Sequence, residues 1–110
     1  VDEIKAAGGY VLIPKNSTNS FLEEAFQKWL NTNDQTDTFI ITGCCTDICV
    51  QQFAITLKTW FNKNNRYSRI IVPVNAVETY DLGPHDAELT NTMALYNMLI
   101  NGVEVVKEVE

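Results

Sequence analysis

Short unbroken apolar runs alternate along this chain with longer stretches in which apolar residues recur every three or four positions. The runs at 9–14 (GYVLIP), 38–43 (TFIITG), 68–76 (SRIIVPVNA) and 103–109 (VEVVKEV) have the length of strands. Near-continuous hydrophobicity is what strands covered on both faces require. Between the runs, residues 20–31 place Phe21, Leu22, Ala25, Phe26, Trp29 and Leu30 at helical spacing, with Ser20 and Glu23 set as a capping box. Residues 46–65 bring Val50, Phe53, Ala54, Leu57, Trp60 and Phe61 to one helix face. Residues 84–102 form a third helical stretch, with Pro84 near its start and Gly102 as its stop. The opening VDEIKAAGG reads as the tail of another helix that ends at Gly8 or Gly9. Four strands alternating with three helices predict an α/β fold, a three-layer Rossmann-like parallel sheet flanked by helices.

The 110 residues bound the chain to a single domain, or part of one. No repeat or low-complexity linker divides it. A domain that opens inside a helix is expected to have lost something upstream. The hydrophobic share, 45% against 20% charged residues, is that of a globular protein. A net charge of −6 with scattered Lys and Arg argues against a nucleic-acid or anionic-membrane partner. No apolar run approaches the ~20 residues of a membrane span.

All three cysteines fall within TGCCTDICV, residues 42–50. Two adjacent cysteines and an odd total make a poor disulfide framework, so a reducing, cytoplasmic setting is expected. Zinc sites want cysteine pairs two to four residues apart with a matching second pair or histidines. Here the spacing is C-C-x-x-x-C and the single histidine, His85, is far away. A cysteine phosphatase would need arginine six residues on, where this chain has Val50, Gln51 and Ile55. One glycine is too few for a dinucleotide loop. Free cysteines are often small buried hydrophobes, and that reading stands for all three on composition alone.

Position distinguishes Cys49. With Thr46 as N-cap it occupies the first helical turn, where orphan N–H groups and the helix dipole favour a thiolate. It also lies at the carboxyl end of a strand, where open α/β sheets bind ligands. Lys15 follows the run YVLIP and so shares that rim as a candidate cation. Asp47, two residues before Cys49 on a helix, points elsewhere and is discounted as its base. His85 reads more readily as a helix-start residue than as a proton carrier.

These residues carry a resemblance. FIITGCCTDICV is similar to the strand–turn–helix of the isochorismatase-like cysteine hydrolases, which include nicotinamidases. IPKNSTNSF resembles the lysine segment of that family, and IIVPVNAVETYD its next strand and exit loop, with Asn75 where relatives usually carry Asp. The resemblance implies the isochorismatase-like hydrolase fold without its N-terminal strands, the first of which lies mid-sheet in the family. It implies Cys49 as nucleophile and Lys15 as the cation of a Cys–Lys–Asp triad. It also implies a cis peptide between Cys44 and Cys45, with the N–H groups of Cys45 and Cys49 as the oxyanion hole. Phe21 resembles an aromatic that shapes the substrate pocket. The family's aspartate belongs to the N-terminal part, as do the metal ligands of nicotinamidases. No cofactor is expected in residues 1–110, and a divalent, zinc-like metal is expected only through upstream ligands. The expected activity is cleavage of a small-molecule amide through a thioester. The alternatives are an inactive module for binding or oligomerisation, and vinyl-ether hydrolysis of the isochorismatase type. The expected partner is a second copy, or the missing N-terminal half.

Overall fold

The computed structural model describes residues 1–109 as an α/β unit of short parallel strands flanked by helices. Helix α1 (Asp2–Ala7) stops at Gly8, whose φ of 69° suits a glycine, and it buries no residue. Helix α2 (Glu24–Thr32) follows a single 3-10 turn, Ser20–Leu22. Strands β1 (Thr38–Ile40) and β2 (Gly43–Cys44) come next. A π-helical turn, Thr46–Val50, runs directly into helix α3 (Gln51–Lys63). Strand β3 (Arg69–Pro73), a 3-10 turn at Val74–Ala76, strand β4 (Val77–Glu78), helix α4 (Ala87–Ile100) and strand β5 (Glu104–Val106) complete the order.

Two parallel sheets result. The larger has the order β1-β3-β5, with Thr38 opposite Arg69 and Ile71 opposite Glu104. The Arg69 guanidinium clamps the last pair of strands with two 2.8 Å bonds to the Glu104 carboxylate. The smaller sheet pairs β2 with β4, Gly43 opposite Val77. Ile70 and Val72 of β3 are fully buried and face a single core. Onto it α2 contributes Leu30, α3 contributes Ala54, Leu57 and Phe61, and α4 contributes Ala94 and Met98. Phe26, Trp29, Phe39 and Phe53 extend this core as a chain of ring contacts, mostly edge to face.

Several expectations need correction. Residues 9–14 form no strand: they pair with no neighbour, and Val11 and Leu12 are 65% and 78% exposed. Their apolar pattern is that of a strand, but no strand lies beside them to complete a ladder. The capping box of Ser20 and Glu23 gives way to Asn19, whose side chain accepts the Phe21 N–H at 3.1 Å. Thr46 is not an N-cap either. It is the first helical residue, fully buried, and its hydroxyl has no partner. The run 38–43 is broken at Ile41 and Thr42, and the run 68–76 stops as a strand at Pro73.

Candidate active site

The turn from Cys44 to Val50 is built by one carbonyl. Cys45 O accepts the N–H groups of Ile48 and of Val50, both at 3.1 Å, and passes over that of Cys49 between them. Bonds to the third and fifth residues wind this segment differently from an ordinary α-helix. The Cys44–Cys45 peptide bond is cis. Of the three thiols, Cys44 is exposed and Cys45 and Cys49 are half-buried, and none is in a disulfide.

Lys15 reaches this turn from the other end of the sequence. Its Nζ donates to the Ser17 carbonyl at 3.0 Å and to Cys49 Sγ at 3.6 Å. The loop that carries it is fastened to α3 by two side-chain bonds. Thr18 Oγ1 donates to Gln52 Oε1 at 3.0 Å, and Asn19 Nδ2 donates to Thr56 Oγ1 at 3.1 Å. These four polar residues hold the lysine over the cysteine. No motif in the chain announces them, because the partners lie 34 and 37 residues apart.

Cys49 and Lys15 open on a cleft of about 450 Å³, within the ~300–1,000 Å³ range of small-molecule sites. Ile40 and Ile41, at the outer edge of the sheet, and Val11 and Ile13, from the extended run, line it. Cys44, Phe26 and Phe53 also line it. Phe21, expected in the pocket, is not among the lining residues. Its ring meets Phe26 edge on and packs against the core, and Phe26 takes the pocket position. Glu23 is the single carboxylate on the lining, a residue read from sequence only as half of a capping box.

Asp47 turns away from this cleft. Its Oδ1 accepts the Thr79 hydroxyl at 2.6 Å, and its Oδ2 lies 2.7 Å from His85 Nε2. His85 Nδ1 lies 2.7 Å from the Tyr80 carbonyl, and the two rings stack at 4.1 Å. A carbonyl and a carboxylate are both acceptors, an environment that favours the doubly protonated ring. The hydrogen bond to Asp47 raises the His85 pKa, partial burial works against it, and the Tyr80 carbonyl adds to the rise. Burial pushes the Asp47 carboxyl up, but the hydrogen bonds from Thr79 and His85 outweigh it and hold the group below its usual value. His85 is thus the anchor of the 79–86 loop on the start of the helical turn. Sequence reading had it as a helix-start residue, whereas Asp86 caps α4 by accepting the Leu89 N–H.

Among the described residues no three His, Cys, Asp or Glu side chains converge on a point that could hold a metal ion. The described residues by themselves do not fit one. Among the described residues no helix is long and apolar enough to cross a membrane.

A family model of the isochorismatase domain matches residues 1–103. No curated protein matches in sequence. Among solved structures, the chain is similar to the nicotinamidase of Staphylococcus aureus, with 28% identity and a TM-score of 0.73 over 98% of this chain and 60% of that one. It is also similar to the pyrazinamidase/nicotinamidase of Streptococcus mutans, with 25% identity and a TM-score of 0.63, covering 84% and 44% of the two chains. The nicotinamidase of Bacillus subtilis shares the fold at 22% identity and a TM-score of 0.63, again over 84% and 44%. The chain therefore spans about 60% of the length of the Staphylococcus aureus protein and less than half of the other two.

Proposed function

The chain belongs to the isochorismatase-domain family, and on that premise we propose that it supplies the thiol and the cation of a cysteine hydrolase acting on a small amide. One observation carries the reading. Lys15 Nζ stands 3.6 Å from Cys49 Sγ, 34 residues away in sequence, at the wall of a cleft of small-molecule size. A cation within reach of a sulfur is the arrangement of an activated cysteine nucleophile.

In the reaction, the Cys49 sulfur attacks the amide carbonyl carbon. The N–H groups of Cys45 and Cys49 hold the oxyanion as it forms. A carboxylic acid gives its proton to the leaving amine, and the conjugate carboxylate then draws a proton from the water that cleaves the thioester. We assign that carboxylic acid to a segment outside residues 1–110, either in the same polypeptide or on another chain. The support is the free outer edge of β1, where Ile40 is 50% exposed beside the cleft. Unpaired strand edges recruit strands, and a parallel strand placed there would end near Cys49. In its absence that edge favours association with a second copy.

Ammonia release from nicotinamide by the 110-residue chain tests the reading, with and without a separately made segment carrying an apolar strand that ends in Asp. General acid–base assistance is worth ~10²–10⁴-fold, so the chain alone should turn over slowly and the mixture faster by about that factor. Cys49→Ala should abolish both rates. Turnover that survives Cys49→Ala overturns the proposal. Tight association without any turnover favours a binding module, and cleavage of a vinyl ether but no amide favours the isochorismatase reaction. Full activity in the chain alone, lost in Glu23→Gln, would move the proton transfer to Glu23.

A further inference from the structure

Cys44 has no place in the reaction above, and the structure removes the ordinary explanation for it. A thiol that fills a core is buried, whereas Cys44 is exposed. It lines the same cleft as Cys49, and Cys45 does not. The bond from the Val50 N–H to the Cys45 carbonyl, at 3.1 Å, folds the turn back on itself. Cys44 and Cys49 therefore stand at the two ends of one tight turn and open on one cleft. An exposed thiol beside a reactive one is the arrangement of a resolving cysteine.

We propose that Cys44 resolves an oxidised Cys49, so that the turn closes a reversible Cys44–Cys49 disulfide when the cleft meets a hydroperoxide. This rests on the reading of Cys49 as the reactive sulfur. The Cys49 thiolate attacks the distal peroxide oxygen, the O–O bond breaks, and water or an alcohol leaves with a proton. The sulfur is now a sulfenic acid. The Cys44 sulfur attacks it, the S–O bond breaks as the S–S bond forms, and the hydroxyl leaves as water with the Cys44 proton. The peroxide is the only oxidant required. The disulfide blocks the nucleophile and shields it from irreversible oxidation to the sulfinic acid.

The test treats the 110-residue chain with hydrogen peroxide, blocks the remaining thiols, and digests it without reduction using a protease that cuts before Asp47. That cut separates Cys44 and Cys45 from Cys49, so a linked peptide lacking two hydrogens reports the disulfide. The linked peptide should form in the wild type and in Cys45→Ser, disappear in Cys44→Ser, and revert with dithiothreitol. In Cys44→Ser, Cys49 should instead gain two oxygens. A wild type whose Cys49 gains two oxygens while Cys44 stays alkylatable overturns the proposal. So does a link that persists in Cys44→Ser, or one that joins two chains on a non-reducing gel. Iodoacetamide labelling of the untreated chain separates the two failures. If Cys49 is not the fastest thiol, the reading of Cys49 falls and this proposal with it; if it is the fastest and no link forms, only the resolving role of Cys44 falls.

Discussion

Lys15→Met keeps the length of the side chain over Cys49 and removes its charge. The separation in the folded chain is 3.6 Å. Opposite unit charges at that distance attract by about 1 kcal/mol at the dielectric constant of water and by about 5 kcal/mol at an effective value near 20. Lys15 is exposed and its cleft is open, so the smaller figure is the floor. It corresponds to a roughly five- to sevenfold difference in rate. The assay is the rate of iodoacetamide labelling at Cys49, read by peptide mass spectrometry at low salt. Wild type should label at least about fivefold faster than Lys15→Met, and Lys15→Arg should stay close to wild type. Cys44 and Cys45 serve as internal controls, since neither is bonded to Lys15. At 1 M salt, where the Debye length is ~3 Å, the gap should narrow. Equal Cys49 rates in wild type and Lys15→Met, with circular dichroism unchanged, would refute the electrostatic role of the lysine.

The Asp47–His85 pair predicts a bounded pH window of stability. The His85 pKa is raised from 6.5, so its contribution is full below that pH and is lost as pH rises through the raised folded value. The Asp47 pKa is lowered from 3.8, so its contribution is full above that pH and is lost as pH falls through the lowered folded value. Urea unfolding across this range should show wild type losing its advantage over His85→Asn on the alkaline side, and parallel profiles would contradict the pairing. Leu57 is fully buried between α3 and the sheet, so Leu57→Ala should cost about 2–5 kcal/mol, measured by the same denaturation. A loss under about 1 kcal/mol would mean that the core collapses around the gap.

Hydrophobic rhythm located α3 because that helix buries what the spacing marks, Ala54, Leu57 and Phe61, while α4 lies within the stretch that Pro84 and Gly102 bound. The same rhythm overstated the strands. A ladder ends where its partner ends, and nothing in Ile41–Thr42 or Val74–Ala76 shows in advance where the two chains part. The run at 9–14 failed for a related reason. Apolar alternation says that a segment seeks cover, not that cover is at hand. The sequence places Lys15 beside Cys49 on the premise of a parallel strand at 9–14; the structure has no strand there, and the bonds from Thr18 to Gln52 and from Asn19 to Thr56 bring the lysine to the cysteine instead. The Asp47–His85 link was not legible, since it joins residues 38 apart through a loop without a pattern. The Asn19 cap was not legible either, since its side chain is held by Thr56, far along the chain.

The two ladders that frame the cysteine turn run out of step. From the Ile40–Ile71 pair to the Gly43–Val77 pair, one strand advances by three residues and its partner by six. The surplus contains the short turn Val74–Ala76, itself tied to the Lys107 carbonyl through the Asn75 N–H. This surplus decides that Glu78 stands beside Cys44, and that Thr79, next along, meets Asp47. What the segment contributes is its count of residues more than their identity. Replacing Val74 or Asn75 should leave the geometry of the cysteine turn alone, whereas removing one of them would slide the whole 77–86 segment along that turn. Surface loops are commonly regarded as free to vary in length. This one acts as a spacer that sets the phase between two strands.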